Sequence, residues 1–112
     1  MRAHGDRAEE AAAIFLQQQG LIITERNYHC RFGEIDLIAR DGETLVFIEV
    51  RMRNSNAFGG AAASITPSKQ AKLLRTARYY LSGCRQLPVC RFDAVLIIGS
   101  HRPEWLKNVF GE

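Results

Sequence analysis

Glu34, Asp36, Glu49 and Arg51 fall in one stretch of sequence whose pattern reads as a β-hairpin. Gly33 to Arg40 and Thr44 to Arg51 are two strand-like runs, and Asp41-Gly42 between them is a strong two-residue turn signal. With that turn Arg40 pairs with Glu43, Asp36 with Phe47 and Glu34 with Glu49. Side chains alternate along a strand, so Glu34, Asp36, Glu49 and Arg51 share one face, Asp36 diagonal to Glu49. Like charges placed this way repel unless something cationic sits among them. A hard cation such as Mg²⁺, held by one or two carboxylates, water and substrate phosphate oxygens, is the chemistry this arrangement suits. A three-residue loop without a bulge would reverse the parity and turn Asp36 away. The plain alternative puts Glu34 and Asp36 in solvent and pairs Glu49 with Arg51. Against it, Leu45-Val46-Phe47-Ile48 reads as a strand buried on both faces, and a carboxylate ending such a strand needs a partner.

The elements that must position these groups are legible on either side. Asp6 and Glu9 form a variant capping box before a helix over Ala8 to Gln19, whose Ala12, Phe15, Leu16 and Gln19 share a face, with Gly20 as its stop. Leu21 to Tyr28 reads as a strand, and Asn54 to Ser64, with Gly59-Gly60, as a loop. Thr66-Pro67 opens a second helix, proline taking the first helical position. Leu73, Leu74, Ala77, Tyr80 and Leu81 cluster on one side of it; Lys72, Arg75, Arg78 and Tyr79 lie opposite, with Lys69 on the border. Gln70 points into the apolar sector, either as a fringe residue or to hydrogen-bond a carboxylate or backbone near the site. Phe92 to Ile98 is an apolar strand, and the segment after Pro103 is too short to assign. The order α-β-β-β-α-β implies an α/β fold, a mixed central sheet flanked by helices.

The 112 residues suffice for one domain, spanning 1–112, with a single core. The N-terminus runs into charged residues with no apolar stretch behind it, which argues against a secretory signal, and no apolar run has bilayer length. No membrane association and a cytoplasmic location are expected. Cys30, Cys84 and Cys90 show no zinc-ligand spacing with one another or with His4, His29 and His101, so reduced thiols are expected. Net charge is only +3, but it is unevenly distributed. Met1 to Glu49 holds nine acids and five bases; Val50 to Phe92 holds eight bases, among them Arg53, Lys69, Lys72, Arg75 and Arg78, and no acid. A phosphate-binding protein has use for such a block, although an ordinary solvated helix face explains it equally well.

Gly33-Glu34-Ile35-Asp36-Leu37-Ile38 and then Phe47-Ile48-Glu49-Val50-Arg51-Met52-Arg53 resemble the D…E-x-K core of the PD-(D/E)xK, restriction-endonuclease-like nucleases. More narrowly, the chain resembles the YraN-like family of predicted endonucleases, similar in turn to archaeal Holliday-junction resolvases. The resemblance covers nearly the whole chain, including Gly5, Glu9, Arg26-Asn27, Lys69 and Arg91-Phe92-Asp93. It implies a restriction-endonuclease-like fold and Mg²⁺- or Mn²⁺-dependent hydrolysis of DNA, branched or single-stranded. It also implies that Asp36, Glu49 and the carbonyl of Val50 hold the metal, with Glu9 reaching the site directly or through a water. The metal would activate a water and neutralise charge on the scissile phosphate. Arg53, Lys69, Lys72, Arg75 and Arg78 are the candidate nucleic-acid contacts. Because related resolvases work as pairs, a homodimer is among the implied partners.

The sequence departs from that pattern at Arg51, which stands where the motif has lysine. Arginine stays protonated and cannot act as a general base, though it can clamp phosphate charge, and Lys69 is placed to substitute from the helix. A nucleic-acid-binding module with impaired chemistry, and a protein-interaction domain in which Glu49 and Arg51 simply pair, are the two other readings.

Overall fold

The computed structural model describes residues 3–53, 65–99 and 102–110; the loop expected over Asn54 to Ser64 and the side chain of Arg53 lie outside the described residues. Along the chain come α1 (Ala3–Gln18), β1 (Ile22–Cys30), β2 (Gly33–Asp41), β3 (Thr44–Arg53), α2 (Pro67–Leu81), β4 (Cys90–Ile98) and β5 (Glu104–Phe110). The strands form one sheet in the order β1-β2-β3-β4-β5. β3 and β4 are parallel, with α2 in the connection between them, and the other neighbours are antiparallel. The expected α/β fold with a mixed sheet is therefore present, with Glu104–Phe110 added as a fifth strand.

Each sheet face carries one helix. Leu45 and Phe47 of β3 and Phe92, Ala94 and Leu96 of β4 pack with Leu73 and Ala77 of α2. Val46, Ile48 and Val95 pack with Ala12, Ala13, Phe15 and Leu16 of α1. The two central strands are thus buried on both sides, which is why they read as continuous apolar runs.

α1 ends as its sequence requires. Gly20 adopts φ 99°, Leu21 N–H donates to Leu16 O at 3.0 Å, and Gly20 N–H donates to Gln17 O at 3.0 Å. This is a Schellman closure, with Leu21 buried behind it. The start differs from expectation. The helix already runs at Ala3, so Asp6 lies inside it and is not its cap. Gly5 costs a helix interior only about 1 kcal/mol, too little to stop it there.

The hairpin register also differs by one residue. Asp41 pairs with Thr44 and Leu37 with Ile48, leaving Gly42-Glu43 as the loop. Asp41 is kept in the strand by Arg91, whose Nη2 donates to its Oδ2 at 3.0 Å. Each partner moves by two positions, so face parity survives, but Glu34 no longer lies across from Glu49; it is exposed. A second irregularity adds to this. Ile35 packs toward α2 and Leu37 toward α1, so alternation breaks at Asp36 between them. On β1, Tyr28 packs toward α2 while Arg26 pairs with Glu10 of α1, and Asn27 between them adopts φ 53°.

β5 is anchored by one buried acid. Asp93, 1% exposed, accepts from Arg91 Nε at 2.9 Å and Nη2 at 3.0 Å, from Trp105 Nε1 at 2.9 Å and from Asn108 N–H at 2.9 Å. A buried carboxylate so well supplied with donors is stable, whereas removing it takes the acceptor from Trp105 Nε1 and the Asn108 N–H and leaves Arg91 with Asp41 alone. Asp93→Ala is expected to cost about 3–5 kcal/mol in urea unfolding. A loss below about 1 kcal/mol would show that the network contributes no more than a surface pair.

Candidate active site

The β2–β3 ladder stops beyond Leu37 and Ile48, although both strands continue. Past that point the two strands fork. There the Val50 N–H donates at 2.8 Å to Asp36 Oδ2. Glu9 reaches Asp36 from α1 and is 7% exposed, and it hydrogen-bonds the Asp36 carboxyl. Glu49 of β3, 8% exposed, stands close enough to act on Asp36 electrostatically. Asp36 is thereby pushed up to about 7, by burial first and then by the charge of Glu49 and of Glu9, against the lowering effect of the Val50 hydrogen bond. A hydrogen bond between two carboxyls requires that one of them carry a proton.

Glu49 is met by cations. Lys69 Nζ lies 2.8 Å from its Oε2 and Arg51 Nε lies 3.4 Å from the same oxygen. Lys69 is fixed by the start of α2, where Thr66 Oγ1 accepts from the Lys69 N–H at 3.2 Å and Pro67 sits at the first turn. Gln70 donates from Nε2 to the carbonyl of buried Ile65 at 3.0 Å, so its polarity serves the backbone leading into the helix and not a carboxylate.

Of the residues expected from sequence, Glu9, Asp36, Glu49, Val50, Arg51 and Lys69 come together at the fork. Lys72, Arg75 and Arg78 are exposed along α2, and Glu34 lies apart from the cluster. The backbone donor Val50 N–H and the direct Lys69–Glu49 contact carry no signal in the sequence, because both depend on where the ladder ends and where α2 docks. As placed, no three His, Cys, Asp or Glu side chains among the described residues stand in metal-binding geometry. Glu49 instead faces its two cations. The donor set is nevertheless of the oxygen type that hard divalent cations take, and crowded carboxylates are the surroundings that such a charge would relieve.

Residues 8–97, which include all of these groups, match the model of a family described as "Uncharacterised protein family UPF0102". The chain belongs to UPF0102. A UPF0102 protein of Nitrosomonas eutropha is 61% identical over 108 residues, covering 96% of this chain and 93% of the relative. One from Nitrosomonas europaea is 60% identical over 110 residues, with coverages of 96% and 93%. A UPF0102 protein of Neisseria meningitidis serogroup C is 52% identical over 108 residues, with coverages of 96% and 94%.

The raised Asp36 carboxyl has a consequence for stability. Its ordinary value is 3.8, so between about 4 and 7 the folded protein keeps a proton that the unfolded chain has released. Stability must therefore fall as pH rises through that window. In EDTA, wild type is expected to lose on the order of 2 kcal/mol more than Asp36→Asn between pH 5 and pH 7.5, read by urea unfolding. Equal pH dependence in the two proteins would contradict the assignment.

Proposed function

We propose that this chain is a metal-dependent, endonuclease-like protein of the PD-(D/E)xK kind that binds nucleic acid and hydrolyses DNA phosphodiesters. The observation that carries the reading is the fork itself, where Glu9, Asp36 and Glu49 arrive from three elements and an ammonium sits 2.8 Å from Glu49. Asp36 and Glu49, with the Val50 carbonyl and Glu9, are the residues that would hold Mg²⁺ or Mn²⁺. When bound, such an ion supplies charge neutralisation at the phosphate and a lowered pKa for its water.

The chain's own residues complete the chemistry. A water oxygen bonds to phosphorus as one of its O–H bonds gives up a proton, the phosphorus–oxygen ester bond breaks, and the departing oxygen takes up a proton, so that one water is consumed. Lys69, not Arg51, occupies the role of the motif lysine, since its ammonium can give up a proton and a guanidinium cannot. Arg51 holds phosphate charge beside it. Branched or single-stranded DNA is the proposed substrate and the cytoplasm the proposed location, and pairing of two copies follows from the resolvase likeness.

One observation favours a second reading. Lys69 and Arg51 both lie on the same oxygen of Glu49, an arrangement that also suits a nucleic-acid-binding module without turnover. Labelled linear, single-stranded and branched DNA incubated with Mn²⁺ or Mg²⁺ separates the two. Cleavage is expected, abolished by Asp36→Ala and Glu49→Ala and reduced about a hundredfold by Lys69→Met. Arg51→Lys is expected to cut at least as well as wild type. Substrates left intact with both metals, by a protein that still binds DNA in a salt-dependent way, would establish the binding module instead.

A further inference from the structure

The geometry points to a stacking platform for unpaired bases, formed by Phe32 and Tyr79 and fed by the basic side of α2, so that the nucleic acid this chain holds is single-stranded. The inference rests on the nucleic-acid reading above and names the form of the strand. Arg31 and Phe32 form the tip between β1 and β2, between the paired Cys30 and Gly33. Tips of two residues favour glycine, asparagine and aspartate, and a phenylalanine there contributes nothing to the turn. Its ring lies 5.7 Å from that of Tyr79 on α2, tilted by 58°. The Arg31 guanidinium stands 4.9 Å from the Phe32 ring centre. Tyr79 is 49% exposed and Phe32 is half-buried, so both rings keep surface open to solvent.

The tip is fastened to α2 without them. A Cβ on Gly33 would meet Thr76 Oγ1 at 2.9 Å, so backbone and helix already touch, and Gly33 at φ 150° admits no other residue easily. Beneath, Tyr28 and Tyr80 pack edge to face with ring centres 5.1 Å apart. The outer aromatic pair is therefore surplus to the packing. Around it Lys72, Arg75 and Arg78 are exposed, and α2 contains no acid. Aromatic faces set in a basic track are what sequence-tolerant single-strand binding uses, because every base offers a ring face to stack and every nucleotide a phosphate.

The platform is also at a useful distance from the fork. Ten residues of helix separate Lys69 from Tyr79, about 15 Å. Four residues of strand separate Phe32 from Asp36, about 13 Å. Either path spans roughly four nucleotides at the 3.4 Å spacing of a stacked strand. A base resting on Phe32 and Tyr79 thus leaves the backbone a few nucleotides away to pass Lys69 and reach Asp36.

The test is fluorescence anisotropy in EDTA with a labelled oligothymidylate of about 16 nucleotides and a duplex of the same length. Phe32→Leu and Tyr79→Leu keep apolar bulk and remove the ring face. Each is expected to weaken single-strand binding about tenfold, to leave duplex binding unchanged and to leave the salt slope as in wild type. Tyr79→Phe is expected to bind as wild type, whereas Lys72→Ala lowers the salt slope by about 0.7. Leucine variants that bind like wild type, equal losses on single strand and duplex, or a wild type that does not bind the oligomer would each overturn the platform. Wild type that cuts DNA with Mn²⁺ while its leucine variants bind normally overturns the platform alone. A leucine-sensitive binder that never cuts supports the platform and removes the nuclease.

Discussion

Asp36 sits where two strands part, with one carboxylate oxygen on the Val50 N–H and two further acids, Glu9 and Glu49, close by. Burial makes a charge there expensive, and nearness makes several charges more so. The rest of the site is arranged around that tension. Glu9 shares a hydrogen bond with Asp36, which lets the pair hold a proton. Glu49 is compensated from outside, by Lys69 on a capped helix start and by Arg51 two residues along its own strand.

The scaffold makes this convergence possible through a local break in the pleat. Were β2 regular, Asp36 would face one helix only. Because Ile35 and Leu37 turn to opposite faces, with Asn27 taking a left-handed conformation on the neighbouring strand, Asp36 stands at the boundary between the layers. An acid from α1 on one side and an acid held by α2 on the other can then meet it. Farther along the sheet, Arg91 donates to both Asp93 and Asp41, so the hairpin end of β2 is tied to the β4–β5 edge. The same arginine thus touches both the β5 network and the end of the β2–β3 hairpin.

Much of this was legible in the residues themselves. Thr66-Pro67 and Gly20 mark helix ends by chemistry that acts within a few residues, and the apolar set of α2 follows from its period. A one-residue error in the turn moves partners in twos and leaves the alternation of β2 intact from Leu37 to Ala39, whereas Asp36 meets Glu49 where that alternation breaks. What could not be read depends on distant partners. The hairpin turn lies one residue along, where Asp41 stays in the strand and meets Arg91, fifty positions away. β5 exists because a buried aspartate gathers donors from both strands, and Glu34 left the cluster because the pleat breaks beside it. Asp6 resembled a cap, but nothing local made the helix begin there. Phe32 gave no sign of meeting Tyr79, since the contact depends on how the β1–β2 tip lies over α2.

The crossover between β3 and β4 has a consequence for the order in which the molecule assembles. β1, β2 and β3 are joined by tight tips and can pair with little loss of chain entropy, whereas Leu45 must wait for Cys90, forty-five positions on, before the sheet closes. Asp36 and Glu49 belong to that early part and Glu9 to the helix before it, whereas Lys69 belongs to the later crossover segment. A chain emerging from its N-terminus therefore gathers its negative groups before their principal counter-ion is available. Docking of α2 buries an apolar face and at the same stroke removes an electrostatic penalty. Docking of α2 is in this way also the step that completes the site.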